Sequence, residues 1–448
     1  MPDFSSSTLR LFQRFFTSTS PHSQHAGIKT VLDGNTAVAA TEACIAEAAG
    51  LGATFPADAA AYAWQAEQQR RGKNCFGKTL TGRDTEGARG ALAAAIGLSL
   101  SGARATTFLS SPDVMSAQDW LVTAVGRLVP LVVHLTNRTL AAHAGALGSG
   151  HKAYHVSADS GFFILHASTV QEAVDFSLIA RRVAELTLIP GLVAMDGEQI
   201  ALAAQEVELP HPEWVRQFLG DPDDEITSPT AAQKMLFGET RRRVPRWHNL
   251  DRPVMHGALQ GPESWTLGAV AKHPYFHHHL NAILEESFAL LSKHTGRTLG
   301  PVSSYQTDNA QIVLVAQGSA IETLQAVADY MRQVRKIKVG VLGIHGFRPF
   351  PGALIAEHLK KKRIVAVLER TDTPLAADPP LMRQVRAALE RALENGRLGS
   401  AIHPGYPLIK EKQLPRFRSV VYGLGGQPLR AADLITCLLY TSPSPRDS

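Results

Sequence analysis

The sequence has few cysteines: Cys44, Cys75 and Cys437 are the only three in 448 residues, and no two form a CxxC pair. Such spacing provides neither a plausible iron–sulfur cluster nor a cysteine-based zinc site, and the count is too low for a disulfide scaffold. A reducing cytosol is the simplest setting, so the expected localisation is cytoplasmic. No apolar run of about 18 or more residues is free of charges and breakers, which argues against a membrane-spanning helix. A strong charge of one sign is also lacking. The formal net charge is +5, and the basic residues are scattered apart from Lys360 to Arg363. A run that short reads as the solvated end of a helix, not as a nucleic-acid surface. Acidic residues are scarce in Met1 to Ala26, where Asp3 is the only one. Arg and Ser without acids resemble an organelle-targeting peptide; a mobile arm or a short helix docking on a partner subunit fits the same residues.

What is present is a chain rich in Ala, Gly, Val and Leu, with 44% hydrophobic residues. Its length suits two or three domains. Between Gly27 and about Gly197, short apolar runs alternate with helical patterns. The runs Arg104–Ser110, Pro130–Asn137, Phe162–Ala167 and Gly191–Met195 read as buried strands, and Gly52–Pro56 as a further short one. Thr36–Ala49, Asp58–Arg71, Glu86–Ser101, Asp113–Leu128 and Val170–Leu186 read as helices, the second capped by Asp58. Continuous apolar strands separated by helices predict a parallel sheet covered on both faces. From about Leu202 to Ser304 prolines recur and the rhythm breaks, apart from a helix over Leu280–His294. A second, smaller α/β unit begins near Asp308, with strands at Gln311–Ala316, Lys338–Ile344 and Arg363–Leu368. Ligands of such sheets sit beyond the carboxyl ends of the strands. Gln317-Gly318-Ser319 and Glu369-Arg370-Thr371 are therefore candidate contact positions. Residues 437–448 continue no pattern and read as translated sequencing adapter, which sets them outside the fold and has the natural chain continue beyond about Thr436.

Three local motifs invite chemistry. Gly72-Lys73-Asn74-Cys75-Phe76-Gly77-Lys78-Thr79 fits the GxxxxGK[ST] phosphate loop. A true phosphate loop follows a strand and opens a helix, so that backbone N–H groups hold phosphate. Here a helix precedes it and a poor helix start, Leu80-Thr81-Gly82-Arg83-Asp84, follows, so nucleotide hydrolysis using Lys78 is a minor alternative. His277-His278-His279, with His273, has spacing for zinc but lacks a Glu in the HExxH manner, and a structural or exposed role is favoured. The small-residue helix beginning at Glu86 offers Gly and Ala for close approach of another surface, with a carboxylate where the helix dipole favours one.

In order along the chain, Asp33-Gly34-Asn35-Thr36-Ala37-Val38-Ala39, Gly72-Lys73-Asn74-Cys75-Phe76-Gly77, Leu135-Thr136-Asn137-Arg138-Thr139, Met195-Asp196-Gly197, Phe347-Arg348-Pro349-Phe350 and Val367-Leu368-Glu369-Arg370-Thr371 are similar to segments of pyruvate:ferredoxin oxidoreductases. His151, Ser160-Gly161-Phe162 and Ser168-Thr169-Val170-Gln171-Glu172-Ala173 add to the match. The resemblance covers roughly residues 28–430. It implies the amino-terminal part of a 2-oxoacid:ferredoxin oxidoreductase. The implied fold class is α/β: a pyrimidine-type thiamine diphosphate-binding parallel-sheet domain, then a smaller transketolase C-terminal-like α/β domain. The expected boundaries are an arm over 1–26, the first domain over 27–235, a connecting segment over 236–304 and the second domain over 305–430.

The resemblance also implies chemistry. A carboxylate on the pyrimidine ring nitrogen of thiamine diphosphate assists deprotonation at the thiazolium carbon through the cofactor itself. Thr85-Glu86-Gly87-Ala88 resembles the family's Ser-Glu-Gly segment, so Glu86 is the expected catalytic and cofactor-binding residue, with Asp84 as the alternative. Arg138 matches the family's substrate arginine, whose planar fork suits a 2-oxoacid carboxylate. Asp58 replaces a Thr that would touch substrate. It either caps its helix or meets Arg138, and it leaves pyruvate open against a related 2-oxoacid. The family holds diphosphate and Mg²⁺ on a separate GDG…N segment. Gly220-Asp221-Pro222 is not that segment, and no metal ligands are expected in this chain. Mg²⁺, iron–sulfur clusters, coenzyme A and the ferredoxin or flavodoxin acceptor are expected through a longer parent, which the resemblance makes a homodimer. The chain alone is expected to be inactive. A diverged, non-catalytic assembly module of the same fold is the alternative.

Overall fold

A computed structural model describes residues 27–52, 57–248 and 259–441. The arm expected over 1–26 lies outside them, as do residues 442–448. The first half of the chain contributes β1 (Ile28–Leu32), β2 (Ala48–Gly52), β3 (Thr81–Thr85), β4 (Ala105–Ser110), β5 (Val132–Asn137), β6 (Phe163–His166), β7 (Gly191–Asp196) and β8 (Gln205–Leu209). A short antiparallel pair follows, β9 (Glu225–Thr227) with β10 (Thr240–Arg242). It spans the boundary that composition sets at residue 235. The second half adds β11 (Val302–Tyr305), β12 (Ile312–Ala316), β13 (Val339–Ile344), β14 (Gly346–Arg348), β15 (Ile364–Glu369) and β16 (Arg416–Val421).

The large sheet has the order β14-β6-β7-β5-β4-β2-β3, and β6 through β3 are all parallel. Strands β4, β5 and β7 are buried along their whole length. Helices cover both faces, which is why their sequences run apolar without alternation. The edge strand β3, Thr-Gly-Arg-Asp-Thr, is partly exposed. Short, charged edge strands of this kind carry little apolar signal, so its residues look like a failed helix start. The strand expected at Gly52–Pro56 is instead β2, four residues earlier, taking the end of the expected first helix. That helix occupies Gly34–Ile45, capped by Asp33, whose Oδ1 accepts from Thr36 N at 3.0 Å.

The small-residue helix Ala88–Leu100 meets β2 of its own sheet. A Cβ on Gly50 would lie 2.0 Å from Ala91 O, so glycine is what allows helix and strand backbones to touch. On the opposite face, the helix Val170–Thr187 carries charge into the core. Fully buried Glu185 accepts from Arg104 Nε at 2.6 Å and NH2 at 2.9 Å, while Arg181 NH2 donates to Glu42 at 2.9 Å. Removing one partner of such a pair costs about 3–5 kcal/mol, because the other charge stays buried.

The second sheet has the order β11-β13-β12-β15-β16, parallel except for β11. The two units are not strung side by side. Strand β14 leaves the second unit and pairs antiparallel with β6, Gly346 opposite Leu165 and Arg348 opposite Ile164, forming the edge of the first sheet. One apolar cluster joins Leu135, Ile164 and Leu192 of the first unit to Val313, Leu342 and Val367 of the second. The helix Ala431–Thr441 runs past residue 436, and Leu434 and Leu438, one turn apart, pack on the second sheet. Among the described residues no helix is long and apolar enough to cross a membrane.

Gly50→Ala is expected to destabilise the chain by about 2 kcal/mol or more, since the contact is with backbone that cannot rotate away. A lowered urea midpoint at an unchanged slope checks it.

Candidate functional site

Parallel strands point their carboxyl ends to one edge of a sheet, and loops leaving that edge carry ligand contacts. Each candidate residue follows a different strand of the large sheet: Asp58 follows β2, Glu86 follows β3 and Arg138 follows β5. In the order β5-β4-β2-β3, Glu86 and Arg138 are separated by three strand spacings, about 14 Å. Asp58 is the second residue of the helix Ala57–Arg71, not a residue flanking it; its side chain lies outside the described residues.

Glu86 sits in the turn between β3 and the helix N-cap Gly87. It is exposed, and among the described residues no hydrogen bond or ion pair involves its carboxylate. The turn itself is fixed, with Thr85 Oγ1 2.9 Å from Leu51 O and 3.0 Å from Gly87 O. A Cβ on Gly87 would meet nothing within 4 Å. The turn is thus held in place, and the Glu86 carboxylate stands exposed on it beside open space at Gly87. Asp84, by contrast, accepts from Gln65 Nε2 at 2.6 Å on the exposed edge.

Arg138 begins the loop after β5. Its backbone N donates to Ser111 Oγ at 2.8 Å, so the first residue of the helix Ser111–Ser116 after β4 positions it. Ser110 and Asp113 cap that helix through Asp113 Oδ2, which accepts from Ser110 N and Oγ at 2.7 Å each. The second unit clamps the far side. A Cβ on Gly148 would lie 2.0 Å from Gly426 Cα.

The sequence did not reveal the buried network at the end of β7. Asp196, fully buried, accepts from His151 Nε2 at 2.7 Å, from Ser319 N at 3.0 Å and from Ser319 Oγ at 2.6 Å. His166 Nε2 lies 3.5 Å from it. Burial opposes ionisation of this carboxyl, but His151, His166 and Arg370 outweigh it and hold Asp196 well below the usual carboxylate range. Burial lowers His151, so a neutral imidazole donating its Nε2–H fits the geometry. Gly318 has φ +63°, and a Cβ there would lie 2.7 Å from Asp196 Oδ2; only glycine lets the second unit come this close. His151, His166 and Asp196 together have donor atoms of the metal-binding types within 4.8 Å. Here those atoms are committed to one another and to Ser319.

The same contacts revise the candidate positions in the second unit. Gln317 Nε2 donates to Tyr154 OH at 2.9 Å, and Arg370 NH1 donates to Gln199 Oε1 at 2.7 Å. The carboxyl ends of β12 and β15 therefore meet the first unit, where the sequence suggested a ligand. Glu369 accepts from Leu381 N at 2.6 Å and Met382 N at 3.1 Å, satisfying the first turn of the helix Pro380–Leu398. The phosphate-loop pattern is a closed turn. Asn74 Oδ1 accepts from Phe76 N at 2.9 Å and Lys78 N at 3.0 Å, filling the space a phosphate would take, and Lys78 pairs with Asp223. A strand, β3, follows it where a phosphate loop needs a helix. Among the described residues, His273, His277, His278 and His279 assemble no metal-ligand group.

Residues 63–264 match the family model described as the pyruvate flavodoxin/ferredoxin oxidoreductase, thiamine diphosphate-binding region, and residues 310–402 match the pyruvate:ferredoxin oxidoreductase core domain II. The chain belongs to this oxidoreductase family. It is 28% identical over 383 residues to a pyruvate-flavodoxin oxidoreductase of Nostoc sp., covering 85% of this chain and 30% of that protein. It is 26% identical to the pyruvate synthase subunit PorA of Methanocaldococcus jannaschii, covering 81% of this chain and 83% of that subunit. A solved 2-oxoglutarate:ferredoxin oxidoreductase from Magnetococcus marinus superposes with a TM-score of 0.62 at 16% identity, covering 92% of this chain and 65% of that one. That likeness gives the shared fold. The chain spans about 30% of the length of the first curated relatives it matches. Within the family frame, the first domain is the thiamine diphosphate-binding one and the second α/β unit is core domain II.

Burial raises the Glu369 carboxyl from an ordinary 4.5 to about 7, against the opposing pull of its two backbone donors. The folded chain then holds this proton more tightly than the unfolded chain. The corresponding stability is fully present below about pH 4.5 and is lost as pH rises through about 7. Glu369→Gln should flatten that part of the pH dependence, measured as thermal midpoints across the same interval.

Proposed function

We propose that this chain is the part of a 2-oxoacid:ferredoxin or flavodoxin oxidoreductase that engages the pyrimidine of thiamine diphosphate and orients the 2-oxoacid. The observation that carries this reading is the exposed Glu86 carboxylate, without a partner among the described residues, on a turn that Thr85 fixes at the carboxyl edge of the sheet that also bears Arg138. When bound, thiamine diphosphate supplies the carbon nucleophile and takes up the electron pair released with CO₂.

The residues present fit one half of such a site. Glu86 would hold a proton between its carboxylate and a pyrimidine ring nitrogen, and the open space at Gly87 leaves room for a flat ring carried by another surface. Arg138, its backbone tied to Ser111, would orient the substrate carboxylate by paired N–H donors. Asp58, following β2 between β3 and β4 in the sheet, would restrict which 2-oxoacid is accepted. Diphosphate, Mg²⁺, the iron–sulfur clusters and coenzyme A fall to other parts of the assembled, dimeric enzyme. The proposal therefore has the chain inactive alone and the assembled enzyme cytoplasmic.

In the assembled enzyme, Glu86→Gln is expected to lower kcat by about 10²–10⁴-fold with little change in KM. Steady-state decarboxylation assays check it, and unchanged turnover would favour the assembly-module alternative. Arg138→Lys should raise KM for the 2-oxoacid by about 10–100-fold, the loss of one charge-assisted pair of hydrogen bonds.

A further inference from the structure

The phosphate-loop look-alike holds a feature that the proposed chemistry does not use. Cys75, at its centre, packs on Cys44 in the last turn of the helix Gly34–Ile45. Cys75 N donates to Cys44 O at 2.9 Å. Both lie on one apolar cluster, Cys44 within it and Cys75 packed against it. Cys44 is 7% exposed and belongs to the core, whereas Cys75 is half-buried and opens toward solvent.

The surroundings are cationic. Arg71 and Arg216 both pull the Cys44 thiol down. Arg216 NH1 donates to Cys75 O at 3.0 Å, and the Arg104 guanidinium lies 4.7 Å over the adjoining Phe76 ring. Guanidinium groups at this range favour thiolate over thiol. The neighbouring Cys75 is the largest influence lowering Cys44, with Arg71 and Arg216 adding to it against burial. The loop is otherwise rigid, since Asn74 Nδ2 donates to Ala46 O at 3.1 Å. The backbone bond and the shared cluster hold the two cysteines side by side in the reduced state.

We propose that Cys44 and Cys75 are a redox-convertible pair, a dithiol that a peroxide closes to a disulfide fastening the 72–80 turn to the first helix. Cys75, the more exposed of the two residues, gives up its thiol proton as its sulfur attacks one peroxide oxygen. The O–O bond breaks, leaving a sulfenic acid on Cys75 and hydroxide, which takes a proton to become water. Cys44, as thiolate, then attacks Cys75 Sγ, the S–O bond breaks, and the departing hydroxide leaves as a second water with the remaining thiol proton. Two thiols and one peroxide give one disulfide and two waters, and an exogenous dithiol reverses the change. The crosslink restrains the unfolded chain over the segment between residues 44 and 75, so it stabilises without altering the carboxyl edge, which lies at the other end of the strands.

The test treats the whole folded chain with hydrogen peroxide, alkylates the remaining thiols and maps the peptides by mass. The expected result is loss of two of three alkylatable thiols, a peptide joining Cys44 to Cys75, and a thermal midpoint raised by roughly 5 °C that dithiothreitol reverses. In Cys44→Ser and Cys75→Ser no such peptide and no such rise should appear. Because the wild-type peptide map is decisive by itself, an unstable variant does not blunt the test. Three alkylatable thiols after treatment, a Cys75 carried to sulfinic acid without crosslinking, or pairing through Cys437 would each overturn the proposal.

Discussion

The carboxylate of Asp196 is the interaction on which the arrangement of both units depends. A buried anion is tolerated only when donors surround it, and its donors come from both halves of the chain: His151 from the first, Ser319 from the second. Satisfying that one charge fixes the loop at Gly318 against the end of β7. It also ties in His166, whose Nε2 lies 3.2 Å from Asn137 Nδ2, and Asn137 immediately precedes Arg138. The same surface is closed by Arg370 on Gln199 and by β14 completing the first sheet. Arg138, the arginine proposed to meet substrate, thus follows a residue tied to the junction with core domain II.

Much of this fold was legible in the sequence, and the reasons differ by element. Strands β4, β5, β7, β12, β13 and β15 are buried on both faces, so their apolar runs announce them. Strands β3, β11 and β16 lie at sheet edges with half-exposed residues, and β14 is three residues long in a sheet formed by distant sequence; neither leaves a periodic trace. The pairing of β14 with β6 is a tertiary fact, since nothing local to Gly-Phe-Arg says which sheet it joins.

The site was legible in a different way. Strand-end logic and motif resemblance were enough to bring Glu86, Arg138 and Asp58 to one edge, because a parallel sheet puts every strand's carboxyl end on the same side. At Gln317 to Ser319 and Glu369 to Thr371 the same logic suggested ligand contacts, and the structure shows contacts with the first unit there. The rule holds that those ends attract a partner, but it cannot say that the partner is another part of the chain. The Asp196 network was invisible because its members are about 15, 30 and 120 residues apart, with only Asp196 carrying an obvious charge. A signal did exist: Met195-Asp196-Gly197 closes a wholly apolar strand, and a carboxylate in that place needs buried donors.

The account makes the two units one cooperative body through Asp196, with Glu86 standing on a separate, self-supported turn. Amide hydrogen exchange on Asp196→Asn against the parent chain tests this most directly. The prediction is faster exchange at residues 139–151 and at 317–319 together, with the turn from β3 to Gly87 unchanged. Faster exchange in only one unit, or in neither, would contradict it.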